Sequence, residues 1–351
     1  MLSTQALRPA AVAGMFYPAD AASLRQDIAA YLAAAPPLGL SPCALLVPHA
    51  GYMYSAAVAA YAYRQIQPNS FARVLLLGPA HRVALSGFAL PTHAAFRTPL
   101  GEVVIDAAMR RIASTLPGAQ LADLPHQAEH SLEVQLPFLQ VVLPKASVLP
   151  VVVGDASLAD LAALLTALWD DATLLLISSD LSHYSPYFEA QVHDTASLQR
   201  VLAFDASLSG HDACGYCALN AALLIARQRG LVAHLLDYRN SGDTAGDKTR
   251  VVGYAALAWC QPDPNALGAT LLQLARHSVA ASIALKLPEP LPELPQQRGA
   301  TKQPDAEAHT HPRTNARPST AGDARAHVHV HDHRARRRAH TPEIRRDIVD
   351  V

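Results

Sequence analysis

The segment Arg73-Val74-Leu75-Leu76-Leu77-Gly78-Pro79-Ala80-His81 decides the fold class, because it joins an apolar run to a histidine through Gly and Pro. A short apolar run bounded by turn residues is typical of a buried strand. An apolar run also leads to a histidine in Leu45–Tyr52, which contains His49, and in Leu176–Tyr184, which contains His183. We therefore predict buried strands that deliver histidines into the loops that follow them.

Amphipathic segments alternate with such apolar runs, which predicts an α/β fold with a three-layer α/β/α architecture. The strongest strand candidates are Cys43–Val47, Arg73–Leu77, Ser147–Val153 and Thr173–Ile177. Helices are predicted where apolar residues recur at three- and four-residue steps, in Ala56–Ile66, Ser131–Val142, Leu158–Leu168 and Ala218–Arg229.

The composition indicates a mainly globular chain, because 50% of its 351 residues are hydrophobic and 16% are charged. A net charge of -1 supplies no long-range field that would attract nucleic acid or an anionic membrane. The start of the chain lacks a signal-peptide pattern, so we expect a cytoplasmic protein. Its four cysteines are too few for a disulfide scaffold, which leaves ligand, nucleophile or core roles for them.

The composition changes after Trp259, where Pro262 and Pro264 follow an apolar run, so we predict a first domain over residues 1–262. Residues 301–351 contain ten Lys/Arg, seven Asp/Glu and seven of the 17 histidines. Such a segment cannot bury a core, and we expect it to be disordered. Its tract His327–His333 could alternatively bind metal ions.

Three candidate site histidines follow predicted strand ends, namely His49, His81 and His183. In open α/β sheets ligands bind beyond the carboxyl ends of strands, so these three side chains are expected to converge. Asp180, three residues before His183, is placed to accept a hydrogen bond from a ligating imidazole. The alternative role for Asp180 is to cap the turn that follows the strand.

A fourth candidate ligand is Cys214, which lies just before a predicted helix, where backbone N–H groups stabilise a thiolate. The spacing Cys214-x-x-Cys217 also permits a redox pair or half a zinc site. A structural zinc site would need a second such pair, which the sequence lacks. We expect Cys217, three residues further on, to belong to the core.

The stretch His126-Gln127-Ala128-Glu129-His130 superficially resembles a metalloprotease helix, because two histidines stand four residues apart. The glutamate is at the wrong position, and a third ligand is not evident. We interpret Glu129 and Glu133 instead as residues on one helical face that orient ligands, or as part of an ordinary amphipathic helix.

Six motifs in the same order resemble the MEMO family, which in bacteria is component B of the AmmeMemoRadiSam system. The resemblance runs from about residue 8 to residue 259. The matching segments are Arg8-Pro9 with Gly14–Pro18, Pro48–Tyr52, Leu77–His81, His130–Leu139, Ser178–Tyr184 and Asn240–Asp243.

This resemblance implies a fold with a central mixed sheet like that of the class III extradiol dioxygenases, which hold Fe2+ with two histidines and a carboxylate. Carried over to this chain, His49 and His81 match the histidine ligands, and Cys214 stands in place of the carboxylate. His183 matches the acid/base histidine, and Asp180 its acidic neighbour.

The resemblance implies a cytoplasmic metal-binding protein, with iron (Fe2+) as the leading metal and copper or zinc as alternatives, because thiolate is a softer ligand than carboxylate. One alternative is a dioxygenase or other redox enzyme acting on a small ring substrate. Another is a metal-independent module that takes a peptide or small-molecule ligand in the same cleft.

The resemblance also extends in part to residues 263–300, where Leu271–Ala280, Leu291–Pro295 and Arg298–Thr301 look like the start of an AMMECR domain. The following residues 301–351 lack the apolar strands of that domain and have the composition of a shifted reading frame. The system's name implies AMMECR-domain and radical SAM proteins as partners.

Overall fold

A computed structural model of the chain describes residues 7–262. The predicted AMMECR-like segment 263–300 and the predicted disordered tail 301–351 lie outside the described residues, so both stay predictions.

Twelve strands and nine α-helices are found within residues 7–262. The strands are β1 (Leu7–Arg8), β2 (Pro42–Val47), β3 (Arg73–Pro79), β4 (Phe88–Leu90), β5 (Ala95–Thr98), β6 (Gly101–Val104), β7 (Ala119–Leu121), β8 (Ser147–Val153), β9 (Thr173–Ser178), β10 (His183–Ser185), β11 (Val232–Asn240) and β12 (Val251–Cys260). The helices are α1 (Ala21–Ala34), α2 (Tyr52–Tyr63), α3 (Ala107–Ala113), α4 (Leu124–Gln127), α5 (Leu136–Val142), α6 (Leu158–Leu168), α7 (Tyr187–Leu202), α8 (Tyr216–Gln228) and α9 (Ser241–Thr244).

The main sheet is mixed, with the strand order β10-β12-β2-β9-β3-β8-β4-β7 and with β11 also paired to β12. Its centre, β2-β9-β3-β8, is parallel, whereas β12 and β4 join that centre in antiparallel orientation. The central strands are buried almost throughout, as parallel strands covered on both faces must be. A smaller sheet has the order β1-β5-β6.

The helices pack in two groups, one containing α1, α2 and α5 and the other containing α3, α6 and α8. Helix α2 contacts β2 and β12, and α8 contacts β3 and β9. The sheet between the two groups gives the predicted three-layer α/β/α architecture with a central mixed sheet. No helix in residues 7–262 combines the length and the apolar character that a membrane span requires.

All four predicted strands are confirmed, and three of the four predicted helices are found within a few residues of their expected bounds. The prediction of one helix over Ser131–Val142 is wrong at its start. The structure has a short 3-10 helix over Glu133–Gln135 and then α5, with Pro137 in the first turn of α5. Proline is tolerated there but not inside a helix, which explains the late start. Glu129 therefore lies in a loop.

A buried ion pair ties the start of the chain to this loop. Arg8 and Glu133 are 2% and 0% exposed, and their side chains approach to 2.5 Å. Arg8 also donates to the backbone carbonyls of His126 and Glu129, at 2.7 and 2.9 Å. Glu133 accepts hydrogen bonds from the Tyr17 hydroxyl and from backbone N–H groups of the N-terminal segment. The interpretation of Glu133 as a group that orients ligands is therefore replaced by a structural role.

Candidate metal centre

Two of the predicted histidines meet at the carboxyl edge of the sheet. His49 follows the end of β2 by two residues, and His81 follows the end of β3 by two residues. Strand β9 lies between β2 and β3 and runs parallel to both, so the loops that follow all three strands leave the sheet at one edge. The centroids of the two imidazole rings are 5.2 Å apart.

The loop that follows β9 holds Cys214 beside these histidines. The backbone N–H of Cys214 donates to the carbonyl of Asp180 at 3.3 Å, and the N–H of Asp180 donates to Sγ of Cys214 at 3.3 Å. A Cβ atom on Gly215 would come within 2.8 Å of the Ser179 side chain, so only glycine permits this approach. Sγ of Cys214 consequently lies 3.3 Å from Nε2 of His49.

The tautomer of His49 follows from its neighbour Ser178. The Ser178 hydroxyl donates its one proton to the carbonyl of Ser131 at 2.6 Å and accepts from the Gln135 amide at 2.8 Å. Its contact with Nδ1 of His49 at 3.0 Å must then be donated by the imidazole. Neutral His49 therefore carries its proton on Nδ1, and Nε2 presents a lone pair toward Cys214.

Glu129 performs the equivalent task for His81. Its Oε1 lies 2.9 Å from Nδ1 of His81, and its Oε2 accepts from the His81 backbone N–H at 2.6 Å. An ionised carboxylate can only accept, so Nδ1 of His81 carries a proton and Nε2 is left for a ligand. One atom each from His49, His81 and Cys214 lies within 4.8 Å of the other two, which is a three-ligand set of nitrogen and sulfur.

The structure adds a third imidazole that the sequence reasoning missed. His130 is buried, and its ring centroid lies 4.7 Å from that of His81 and 5.5 Å from that of His49. Its Nδ1 lies 3.3 Å from Oε1 of Glu129 but makes no hydrogen bond. His130, His81 and Glu129 form a second set of ligand-type atoms within 4.8 Å of one another. The sequence analysis placed His126 and His130 four residues apart on one helix. Because α4 ends at Gln127, that spacing does not apply to His130, and its position beside His81 could not be inferred from it.

The surroundings of the cluster keep His49, His130 and Cys214 uncharged in the absence of a metal. Burial and the neighbouring His81 lower the pKa of His49 well below its usual range. Burial and His49 likewise lower the pKa of His130. Burial together with the charge of Asp180 raises the pKa of Cys214 to about 12. Neutral imidazoles are the form that coordinates metal, whereas the thiol must lose its proton on binding.

Asp180 and His183 lie beside this set and outside it. Oδ1 of Asp180 accepts a hydrogen bond from the backbone N–H of His49 at 2.7 Å, and Oδ2 lies 4.0 Å from Nε2 of that ring. The expectation that Asp180 accepts a hydrogen bond from a ligating imidazole is therefore not met, since Ser178 and Glu129 make those contacts. His183 begins β10, and the next residue, Tyr184, has a left-handed φ of 59° where the strand pairing is irregular.

The other candidate residues separate into structural and cleft positions. Nε2 of His126 contacts the carbonyl of Ala89 at 3.1 Å, so this histidine belongs to the fold. Cys217, expected in the core, is only partly buried and lines a cleft with Cys214. The cleft has a volume of about 390 Å³, and its walls include Leu85, Val153, Asp155, Cys214, Tyr216 and Cys217.

Comparisons with known proteins agree with this fold and with the collinear motifs. A family model described as "Memo-like protein" matches residues 8–258. A MEMO1 family protein from Aquifex aeolicus is 35% identical over 267 residues, which are 72% of this chain and 98% of the relative. A MEMO1 family protein from Thermoplasma volcanium is 31% identical over 270 residues, covering 73% and 99% of the two chains. One from Methanopyrus kandleri is 34% identical over 278 residues, covering 72% and 98%.

Proposed function

Because this chain belongs to the family of Memo-like proteins, with their extradiol dioxygenase-like fold, we propose that it binds one divalent transition-metal ion through His49, His81 and Cys214. Two imidazoles and one thiolate suit iron (Fe2+), copper and zinc and disfavour magnesium or calcium, which take oxygen ligands. Fe2+ is our first choice, with copper and zinc as the alternatives.

The observation that carries this proposal is the 3.3 Å contact between Nε2 of His49 and Sγ of Cys214. The Ser178 hydroxyl fixes the tautomer in which that nitrogen has a free lone pair. Glu129 does the same for His81, and oriented imidazoles of this kind accompany metal sites. Two buried hydrogen bonds therefore orient the imidazoles of His49 and His81 so that their Nε2 lone pairs face the same position.

A bound metal would supply Lewis acidity or electron transfer, and the surrounding residues would define what reaches it. Asp180 keeps the His49 loop in place through the backbone N–H of His49. The adjoining cleft is lined by apolar residues together with Asp155 and the two thiols, a mixture that suits a small-molecule or peptide ligand.

Metal analysis of the full chain tests the proposal. The protein is purified without oxygen and without an added His-tag, beside His49→Ala, Cys214→Ala and the surface control His193→Ala. His49→Ala and His193→Ala each lose one imidazole and keep the histidine-rich tail, so the metal bound by the tail should be the same in both variants. We expect wild type and His193→Ala to hold about one equivalent more iron or copper than His49→Ala and Cys214→Ala. Equal metal in all four proteins, even after anaerobic Fe2+ addition, would favour the metal-independent binding module instead.

A second candidate function is a metal-dependent oxidoreductase acting on a small ring substrate. The observation that favours it is the position of His183, which is partly exposed and influences the pKa of both His49 and Asp180. In this role His183 would transfer a proton, with Asp180 beside it. Oxygen uptake with catechol, present in wild type and lost in His183→Phe, would support this activity. AMMECR-domain and radical SAM proteins are the partners that we propose to test.

A further inference from the structure

Cys217 is a second thiol at the candidate metal centre, and the proposed metal site leaves it without a function. It lines the same cleft as Cys214 and is partly exposed to it. The sequence analysis kept a redox pair open for the spacing Cys214-x-x-Cys217. The structure makes that alternative specific, because both side chains border one cavity.

The backbone between the two cysteines is a turn that leads into α8. The N–H of Tyr216 donates to the carbonyl of Ala213 at 3.2 Å, and α8 begins at Tyr216 with Gly215 as its cap. Residues three apart in such a turn have Cα atoms about 5 Å apart. That separation lies within the range of about 4.4 to 6.8 Å that a disulfide bridges.

The remaining two cysteines lie in a different environment. Sγ of Cys43 contacts the carbonyl of Trp259 at 3.3 Å, on paired strands of the main sheet, and Cys260 is buried. Neither of them lines the cleft of about 390 Å³ that adjoins Cys214. A small oxidant that enters that cleft therefore meets Cys214 and Cys217 together.

We propose that Cys214 and Cys217 form a reversible disulfide, so that this site exists in a reduced, metal-binding state and an oxidised, metal-free state. Formation of the S–S bond removes two thiol protons and two electrons, and hydrogen peroxide accepts both to give two molecules of water. A dithiol reductant returns both thiols by exchange. The effect on metal binding rests on the proposed role of Cys214 as a ligand, whereas the disulfide itself does not.

The two states exclude each other because Cys214 has one sulfur to offer. In the disulfide that sulfur carries no negative charge and is a poor ligand, so oxidation removes one of the three donors of the set. In the opposite direction, a bound metal occupies Sγ of Cys214 and protects it from peroxide. Metal loading therefore slows disulfide formation, and the disulfide prevents metal loading.

The full chain offers a direct readout of the disulfide. Cleavage after Arg and Lys releases the peptide Val201–Arg227, which contains Cys214 and Cys217 and neither of the other two cysteines. The reduced protein is treated with a small excess of hydrogen peroxide, remaining thiols are alkylated, and the mass of this peptide is measured. Wild type is compared with Cys217→Ser and with the control Cys43→Ser, each with and without prior loading with Co2+.

Metal binding is followed by the thiolate-to-cobalt charge-transfer absorption, to which the tail histidines cannot contribute. We expect peroxide to remove two hydrogens from the peptide in wild type and Cys43→Ser and to abolish their cobalt–thiolate absorption until a dithiol is added. Cys217→Ser should show the absorption and form no disulfide within this peptide, and prior Co2+ should protect wild type.

Two different failures remain distinguishable. Alkylation of both cysteines in the peptide after peroxide treatment, or oxidation of Cys214 to the same product in wild type and Cys217→Ser, would overturn the disulfide. A disulfide that forms in a protein without any cobalt–thiolate absorption would instead leave the redox pair standing and refute Cys214 as a metal ligand.

Discussion

The buried Arg8–Glu133 pair and the His49–His81–Cys214 cluster are both polar clusters in a largely apolar molecule, yet they use their polar groups in opposite ways. Every side-chain oxygen of Glu133 accepts a hydrogen bond, from Arg8, from Tyr17 or from backbone N–H groups. We call this pair closed, because both carboxylate oxygens of Glu133 are hydrogen-bonded within the protein and neither is available to a ligand. Such closure is what burial of a charge requires when the group serves stability.

The metal cluster, in contrast, is closed on its outer side, where the Nδ1 atoms face the protein, and open on its inner side, where the Nε2 atoms face the proposed metal position. The Nδ1 atoms of His49 and His81 are engaged by Ser178 and Glu129, whereas the other ring nitrogens have lone pairs and a cysteine sulfur near them. In the metal-free protein the Nε2 lone pair of His49 faces only the Cys214 thiol, which is a weak hydrogen-bond donor, and a bound metal ion would use that lone pair more fully. The comparison indicates that a structural network satisfies all of its acceptors with strong donors, whereas this candidate binding site keeps ring nitrogens that are not satisfied in that way.

Glu129 connects the two regions. Its carbonyl oxygen accepts from Arg8, and its carboxylate accepts from His81 and from the N–H of Ser131. Burial opposes ionisation of this carboxyl, but the hydrogen bonds that it accepts from His81 and from the N–H of Ser131 favour ionisation, and its pKa is lowered. The structural pair thus fixes the loop that aims one of the proposed ligands.

The largest expected effect comes from opening the closed pair. Glu133→Ala leaves the Arg8 guanidinium buried without its counter-charge, and we expect a loss of about 3–5 kcal/mol in the free energy of unfolding. Urea unfolding of the variant beside wild type measures this loss. The double variant Arg8→Met/Glu133→Leu removes the unpaired charge but leaves the Tyr17 hydroxyl and two backbone N–H groups without their acceptor, so it should recover only part of the loss. A loss below about 1 kcal/mol for Glu133→Ala would mean that the pair is not a structural keystone.

A smaller effect is expected from loosening the open cluster on its outer side. Ser178→Ala removes the acceptor that holds the proton of His49 on Nδ1, so we expect the metal affinity to fall about 10- to 100-fold. Competition with a chromophoric chelator measures the affinity. Ser197→Ala, which deletes a buried hydroxyl bonded to Asp212, controls for the general cost of such a deletion. Equal affinities in the two variants would show that Ser178 does not orient the ligand.

Proton release on metal binding sharpens the comparison further. The pKa of Cys214 is raised to about 12, so its thiol is protonated in the free protein and must lose that proton on binding. His49 has a lowered pKa and is already neutral, so it releases none. Binding should therefore strengthen with rising pH, by at most about tenfold per pH unit. Calorimetry in buffers of different ionisation enthalpy should find about one proton released near neutral pH. Proton uptake, or no exchange, would contradict thiolate ligation.

The smallest effect is expected where an ion pair is neither closed nor buried. Arg97 and Glu102 contact each other at 2.9 Å, but their side chains are 57% and 54% exposed. We expect Arg97→Ala to change the free energy of unfolding by less than about 1 kcal/mol, because water already solvates both charges. Urea unfolding beside the Glu133→Ala variant gives the direct contrast. A loss comparable to that of Glu133→Ala would show that burial is not what separates the two pairs.

The sequence predicted the parts of the molecule that depend on local pattern. The apolar strands and the turn residues after them were sufficient to place His49 and His81 at one sheet edge, because parallel strands leave a sheet together. Cys214 was proposed from its position before a helix, and the structure places it against His49.

The groups that aim these ligands could not be predicted from the sequence, because their contacts join distant parts of the chain. Glu129 and His81 are 48 residues apart, and Ser178 and His49 are 129 residues apart. Ser178 ends an apolar strand with a serine, which was the available signal for it. The sequence analysis assigned His130 to a helical motif. The structure places it in a loop, because α5 begins only at Leu136, with Pro137 in its first turn.

X-ray absorption of the full chain loaded with one equivalent of Zn2+ tests the metal site most directly, because it reports the atoms that touch the ion. The predicted spectrum has one sulfur at about 2.3 Å together with nitrogen at about 2.0–2.1 Å. The sulfur contribution should persist in Cys217→Ser and vanish in Cys214→Ser. A spectrum with nitrogen and oxygen alone in the wild-type protein would contradict the assignment of His49, His81 and Cys214 as its metal site.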